Sequence, residues 1–140
     1  MKTGIVALIV AMGWGSLMAI FESLGKDASA LFPIEHAHLA FVGWLVNTVI
    51  GFALWFLPLD RARFPKTQGR YDLWMPWTIY ALLNIGLVMR LISEPLVASF
   101  TLARTALFVS AVMQFAAVLI FVALAWSRVR PPSRPAAGVR

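Results

Sequence analysis

The segment HAHLAFVGWLVNTVIGFALWFL, from His36 to Leu57, contains no Asp, Glu, Lys or Arg. A helix that crosses about 30 Å of hydrocarbon needs about 20 predominantly apolar residues, and this segment is long enough. Pro58 follows it directly, and proline is tolerated at the end of a helix because no helical hydrogen bond is lost there. The segment therefore predicts a membrane-spanning helix.

Three further apolar segments accompany it in a chain of 140 residues, of which 61% are hydrophobic and 13% charged. A soluble domain of this size leaves too much surface exposed to hide so much apolar area. We therefore predict an all-α membrane protein with one four-helix domain over residues 1–127, and an uncleaved first helix rather than a signal peptide cleaved near Ala28-Ser29-Ala30. The predicted spans are residues 4–24, 36–57, 74–92 and 105–126, followed by a basic tail over residues 128–140 that we expect to be disordered.

The basic residues indicate the direction of the spans. Nine fall on one face of a four-span chain and three on the other, and cytoplasmic loops carry the excess of Lys and Arg. This distribution places both termini in the cytoplasm, and we expect a bacterial inner-membrane location. The net charge of +6 is confined largely to short blocks between or after apolar segments, which argues against nucleic-acid binding. The nine are Lys2, Arg61, Arg63, Lys66, Arg70, Arg128, Arg130, Arg134 and Arg140; the three are Lys26, Arg90 and Arg104.

His36 and His38 are the two histidines of the chain, at the predicted outer start of the second span. Two residues two apart on a helix point about 200° apart, with an axial offset of about 3 Å. Such a pair cannot grip one metal ion from the same helix, but it can offer a nitrogen to each of two partners on opposite flanks. The alternative is that both are interfacial side chains bonded to water, headgroups or Glu35.

Small side chains follow the histidines at helical spacing, which allows either a flat cofactor or another helix to approach closely. Both interpretations stay open for this stripe, which consists of Ala40, Gly43, Asn47 and Gly51. A second stripe in the first span predicts plain helix association; it consists of Ala7, Ala11, Gly15 and Ala19.

Polar side chains within the spans predict hydrogen bonds in the interior of the bundle; they are Asn47, Asn84, Ser110 and Gln114. Arg90 and Arg104 lie at the outer ends of the third and fourth spans. An arginine there can extend to lipid phosphate, or it can bind the paired carboxylates of a haem through its planar guanidinium.

The run from His36 to Gly43, continuing through Gly51 to Pro58, resembles the tenth transmembrane helix of the haem-copper oxidase main subunit, the family of cytochrome c oxidases and nitric oxide reductases. That helix carries His-x-His, a glycine five residues after the second histidine, a small-residue stripe and an aromatic-rich exit ending in proline. The resemblance implies that His36 matches the high-spin haem ligand and His38 the low-spin one. It implies a propionate role for Arg90 and Arg104 more loosely, because the family's adjacent arginine pair is absent.

The resemblance also implies an architecture. The family's twelve helices form three four-helix arcs, with ligands on the second helix of each arc, whereas this chain has four spans and lacks the three-histidine copper site. We therefore expect a homotrimer that rebuilds the ring, with a twofold dimer as the second choice, and no oxygen reduction by one chain alone. Symmetry would make the subunit boundaries equivalent, each presenting His36 of one chain to His38 of the next.

Three functional classes follow. A b-type haem protein with two axial imidazoles has no open iron position, which favours electron transfer or redox sensing with an unidentified redox partner over gas chemistry. Gly43 and Asn47 of the small stripe would then line the cofactor beside His36 and His38. The second class is a copper-handling or small transport protein that uses histidines and methionines as ligands. The third is a structural accessory subunit without a cofactor.

Overall fold

The computed structural model describes residues 2–26, 31–126 and 128–129, and these residues form an all-α fold. It has four helices long and apolar enough to cross a membrane, which confirms the predicted fold at this level. We call them spans 1 to 4: Lys2–Ser23, Phe32–Phe56, Trp74–Leu96 and Thr101–Trp126. Residues 28–30, where the alternative of a cleaved signal peptide would place its cleavage site, and the tail beyond Val129 lie outside the described residues.

Span 2 belongs to a helix built from three parts: α-helix Leu31–His38, π-helix Leu39–Val46 and α-helix Asn47–Phe56. The helix begins five residues before the predicted start at His36 (36 − 31 = 5). Pro33 is accommodated because the first turn of a helix has no intrahelical acceptor for its N–H groups. The wide π turn was not predicted from the sequence, and such turns are frequently associated with functional sites.

The helix ends follow local sequence signals. Span 1 ends at Ser23 and is followed by Gly25 at φ 65°, a left-handed conformation that glycine adopts without steric cost. The amide of Lys26 donates to the Phe21 carbonyl, and that of Gly25 donates to the Glu22 carbonyl, each at 3.0 Å. These two bonds form a Schellman cap that satisfies the last carbonyls of the helix. Span 3 is α-helical over Trp74–Ser93 and continues as a 3-10 turn over Glu94–Leu96.

Glycines allow the spans to pack closely in sequential pairs. A Cβ atom at Gly43 of span 2 would lie 3.0 Å from the Ala7 side chain of span 1 and 3.1 Å from that of Leu87 of span 3. A Cβ atom at Gly86 of span 3 would lie 3.1 Å from the Ser110 carbonyl oxygen of span 4. Contacts this tight require small residues at helix interfaces. The small stripes of spans 1 and 2 are therefore used for helix packing at Ala7 and Gly43.

Span 2 lies in the middle of the four spans, and span 1 lies at their edge. Spans 1 and 2 pack together, spans 3 and 4 pack together, and span 2 contacts both span 3 and span 4. Within the described ranges, span 1 and span 4 share no packed interface. The most apolar window of each span is between 11% and 22% buried, which leaves broad apolar faces for lipid or a second chain. The buried core cluster lies in the half of the bundle nearest the middle loop, and it consists of Ile50, Phe64, Ile79, Leu83, Ala117 and Leu124.

The middle loop between spans 2 and 3 contacts Arg128, which follows span 4, on the same side of the bundle. Phe64 of the loop is 6% exposed, and the Arg128 guanidinium lies 5.0 Å from its ring centre and 4.9 Å from that of Tyr71. Arg128 is only 2% exposed, although it belongs to a basic block. Burial raises the pKa of Tyr71 above its usual 10.0, although the charges of Arg128 and Arg70 act in the opposite direction.

Candidate functional site

The two imidazoles face different neighbours, as the helical offset predicts. His36 contacts span 1, at Ala11 and Gly15, whereas His38 contacts Glu94 at the end of span 3. Both histidines lie in the α-helical part that precedes the π-helix, so the α-helical offset of about 200° applies to them. The site therefore has two halves, one on each flank of span 2.

The His36 half is built against the backbone of span 1. Nδ1 of His36 lies 3.0 Å from the carbonyl oxygen of Ala11, which is 1% exposed. The ring occupies the space over Gly15, where a Cβ atom would lie 2.9 Å from Cε1 and 3.6 Å from Nε2 of His36. Gly15 thus makes room for the imidazole, and the small stripe of span 1 serves the histidine as well as helix packing.

The His38 half contains a charged cluster. Nδ1 of His38 lies 2.9 Å from the carbonyl oxygen of Ile34, one turn earlier, and 3.5 Å from Oε2 of Glu94. Nε of Arg90 lies 3.5 Å from the same carboxylate oxygen. The Glu94 side chain is 12% exposed and that of Arg90 is 23% exposed, so the ion pair is shielded from solvent. Neither Glu94 Oε2 nor Arg90 Nε has a hydrogen-bond partner among the described residues.

Both histidines are held in the same tautomer. A carbonyl oxygen can only accept a hydrogen bond, so Nδ1 carries the proton in each neutral ring and Nε2 carries the lone pair. Histidines that bind metals almost always donate their other ring N–H to a carbonyl or carboxylate, which fixes the ring orientation. In this tautomer the lone pair of each ring is on Nε2, the atom that could bind a metal.

The other predicted site residues lie in more ordinary surroundings. Arg90 is close to His38 through Glu94, whereas Arg104 is exposed and its Nε donates to the Val97 carbonyl of the connecting loop at 3.2 Å. Arg104 therefore braces the loop between spans 3 and 4 rather than joining the charged cluster. Side chains of spans 1 and 3 occupy the space beside Gly43, as described above.

Asn47 forms a reciprocal amide pair with Asn84 across spans 2 and 3. Each Nδ2 donates to the other residue's Oδ1, at 3.1 and 3.0 Å, and Asn47 Nδ2 also donates to the Val42 carbonyl at 3.1 Å. Asn47 is 8% exposed. Because both N–H groups of this amide are used within the protein, Asn47 has no donor left for a cofactor. Its visible role is to join the two spans below the π turn.

The remaining interior polar residues show mixed outcomes. Ser110 Oγ donates to the Leu107 carbonyl within its own helix, at 2.7 Å. Gln114 Nε2 is buried and has no hydrogen-bond partner in the described part of the chain. The predicted network of interior hydrogen bonds is therefore realised between spans only at Asn47 and Asn84.

Glu94 and Gly15 were not identified from the sequence as site residues. Glu94 is the one acidic residue of span 3, and it follows Arg90 by four positions, a spacing that pairs side chains on a helix. That signal was available. The contact of Gly15 with His36 had no comparable signal, since glycine stripes in membrane helices most often report helix packing.

Within residues 2–26, 31–126 and 128–129, no three His, Cys, Asp or Glu side chains cluster closely enough to hold a metal ion. The two halves instead offer one imidazole each. A comparison with known protein families, curated proteins and solved structures finds no match to the chain.

Proposed function

We propose that the chain is a membrane-bound b-type haem protein in which His36 and His38 would hold the haem iron through their imidazoles. The observation that carries the proposal is the shared tautomer: both Nδ1 atoms lie within hydrogen-bond distance of main-chain carbonyls, which leaves both Nε2 lone pairs free. The donor set suits a haem iron, because each flank of span 2 presents one imidazole. It does not fit a chelated ion, which needs several ligands on one side.

Neighbouring groups orient the two ligands differently. The Ala11 carbonyl and the missing side chain at Gly15 hold the His36 ring against span 1. The Glu94 carboxylate near Nδ1 of His38 increases the electron density of that imidazole, and Arg90 balances the charge of the carboxylate. Arg90 is the better placed of the two predicted propionate-binding arginines, because it lies beside the His38 half.

A bound haem would supply a one-electron couple, with a potential set by its ligands and its burial. Two imidazoles on one iron leave no position for oxygen or nitric oxide. The protein would therefore transfer electrons or sense redox state rather than act as an oxygen reductase by itself.

The opposite directions of the two histidines support a homo-oligomer. One chain directs its two imidazoles to opposite flanks, so a haem with two histidine ligands takes the second from another chain. We favour a homotrimer with His36 of one chain and His38 of the next on each haem, and a homodimer is the second choice. The charge distribution supports cytoplasmic termini, a histidine pair towards the outer side, and residence in a bacterial inner membrane.

The absorption spectrum of the purified protein, oxidised and reduced, tests the proposal. We expect a Soret band and sharp reduced bands of a low-spin b-type haem, which His36→Ala and His38→Ala abolish or change. Glu35→Gln, next to the pair, is the matched control and should leave the spectrum unaltered. Unchanged spectra in both histidine variants would refute the ligand assignment.

Other results point to the alternatives. Bound copper without a Soret band would indicate a copper-handling protein, and colourless, metal-free protein would indicate an accessory subunit. The mass of the complex in detergent tests the assembly separately. A trimer agrees with the proposal, a dimer selects the second choice, and a strict monomer excludes shared ligation.

A further inference from the structure

A cleft of about 650 Å³ opens on the side of the bundle that carries the middle loop, away from the histidines. It lies between the first turn of span 1, the second half of span 2 and the first half of span 3. Its volume is in the range of about 300–1,000 Å³ typical of small-molecule sites. The lining residues that matter here are Lys2, Leu54, Trp55, Arg70, Ile79 and Leu83.

The cleft exists because span 1 begins deeper than its neighbours. A Cβ atom at Gly4 would lie 3.6 Å from the backbone nitrogen of Thr48, and the Thr3 hydroxyl lies 2.9 Å from the Tyr80 hydroxyl, so span 1 begins level with the interior of spans 2 and 3. Span 2 continues for eight residues from Thr48 to Phe56 (56 − 48 = 8), which is about 12 Å along the axis. Spans 2 and 3 therefore extend beyond the start of span 1, and the cleft fills the space left below Lys2.

The two ends of the cleft differ in polarity. Ile79 and Leu83 of span 3 are each 1% exposed and form an apolar wall with Leu54 of span 2. Lys2 and Arg70 supply positive charges, and neither forms an ion pair with a carboxylate within the part of the chain that the structure describes. The surroundings thus combine apolar walls with two uncompensated cations.

Two further residues indicate that the cationic end lies at the level of lipid headgroups. Trp55 lines the cleft and is 61% exposed, and tryptophan is enriched where a membrane meets water. The Arg128 guanidinium lies 4.9 Å from the ring centre of Tyr71, which also lines the cleft, and adds a third positive charge nearby. Anionic lipids are attracted to clustered Lys and Arg at this level.

We propose that the cleft binds one anionic phospholipid, with its phosphate between Lys2 and Arg70 and one acyl chain against Leu54, Ile79 and Leu83. Charge complementarity selects the headgroup, and the apolar walls select a chain over a free anion. The bilayer supplies this occupant directly, because the cleft lies among membrane spans. This inference does not depend on haem binding.

Native mass spectrometry of the intact protein in detergent, titrated with phosphatidylglycerol or phosphatidylcholine, tests the proposal. We expect one phosphatidylglycerol per chain to bind more tightly than phosphatidylcholine. Lys2→Gln and Arg70→Gln should each weaken phosphatidylglycerol binding about five-fold, the equivalent of about 1 kcal/mol per cation near a membrane surface. Lys66→Gln is the matched control, since it removes a charge from the same exposed loop without touching the cleft.

Each contrary outcome would overturn the proposal. Equal weakening by Lys66→Gln would indicate general attraction to a basic surface. Equal binding of phosphatidylcholine would remove the role of the cations, and competition by millimolar inorganic phosphate would indicate a free-anion site. Lys2→Arg keeps the charge and should keep the affinity, so a loss equal to that of Lys2→Gln would show that the charge of Lys2 does not hold the headgroup and would overturn the proposal.

Discussion

The amide pair between Asn47 and Asn84 should behave as a measurable coupling between spans 2 and 3. Asn84→Leu removes both hydrogen bonds of the pair, at 3.1 and 3.0 Å, and leaves Oδ1 of a side chain that is 8% exposed without its partner. Hydrogen bonds between membrane helices contribute about 0.6 kcal/mol on average and up to about 1.7 kcal/mol. For two bonds we expect a coupling energy of about 1 to 3 kcal/mol.

A double-mutant cycle with Asn47→Leu and Asn84→Leu measures this coupling through reversible unfolding in mixed detergent, followed by tryptophan fluorescence. The double variant should be more stable than the sum of the single losses implies, because each single variant leaves the other amide without its partner across the spans. A second cycle pairs Asn47→Leu with Thr78→Val, whose hydroxyl bonds only within its own helix, to Trp74. That cycle should be additive within about 0.5 kcal/mol. Additivity in the first cycle would refute the pair.

Three further predictions concern close contacts and pH. Gly86→Leu should destabilise the fold by about 1 to 3 kcal/mol, because its Cβ atom would lie 3.0 to 3.3 Å from atoms of span 4. Gly13→Leu is the control and should change the free energy of unfolding little, because no atom lies within 4 Å of a Cβ atom there. Equal losses of stability in the two variants would contradict the close packing at Gly86. If the chain binds haem as proposed, Gly15→Leu should shift the absorption spectrum by displacing the His36 ring, whereas Gly13→Leu should not, and equal spectra of the two variants would contradict the contact between Gly15 and His36. Because burial raises the pKa of Tyr71 above 10.0 in the folded state, the folded protein keeps the phenol proton to higher pH than the unfolded chain, and its stability should fall above pH 10. Tyr71→Phe should reduce this fall when unfolding is measured as a function of alkaline pH. An unchanged pH dependence would contradict the raised pKa of Tyr71.

The number and nature of the spans could be predicted because they depend on composition over long windows. Membrane insertion needs an apolar segment of sufficient length, and no tertiary detail alters that requirement. The ends were less predictable: span 2 extends back to include Pro33, and span 3 continues through Glu94. Pro33 fits because it lies in the first turn of its helix, and Glu94 fits because Arg90 and His38 lie 3.5 Å from its carboxylate. A hydropathy pattern registers neither of these local arrangements.

The site was predictable only in its local geometry. The divergence of His36 and His38 follows from their spacing, since the helix containing them is regular. Their partners depend on which helices flank span 2 and at what height, so the Ala11 carbonyl and the Glu94 carboxylate could not be identified from spacing within span 2. The stripe residue Gly43 illustrates the same limit, because its sequence signal is identical whether a ring or another helix covers it.

The π-helix from Leu39 to Val46 sets the angular relation between the two ends of span 2. His36 and His38 must face spans 1 and 3 above it, while Asn47 must face Asn84 below it. Deleting one residue there would rotate one end against the other by about 100°, the step of a single helical residue. The histidines and the amide pair could then not both keep their partners. The segment should therefore tolerate apolar substitutions better than an insertion or a deletion.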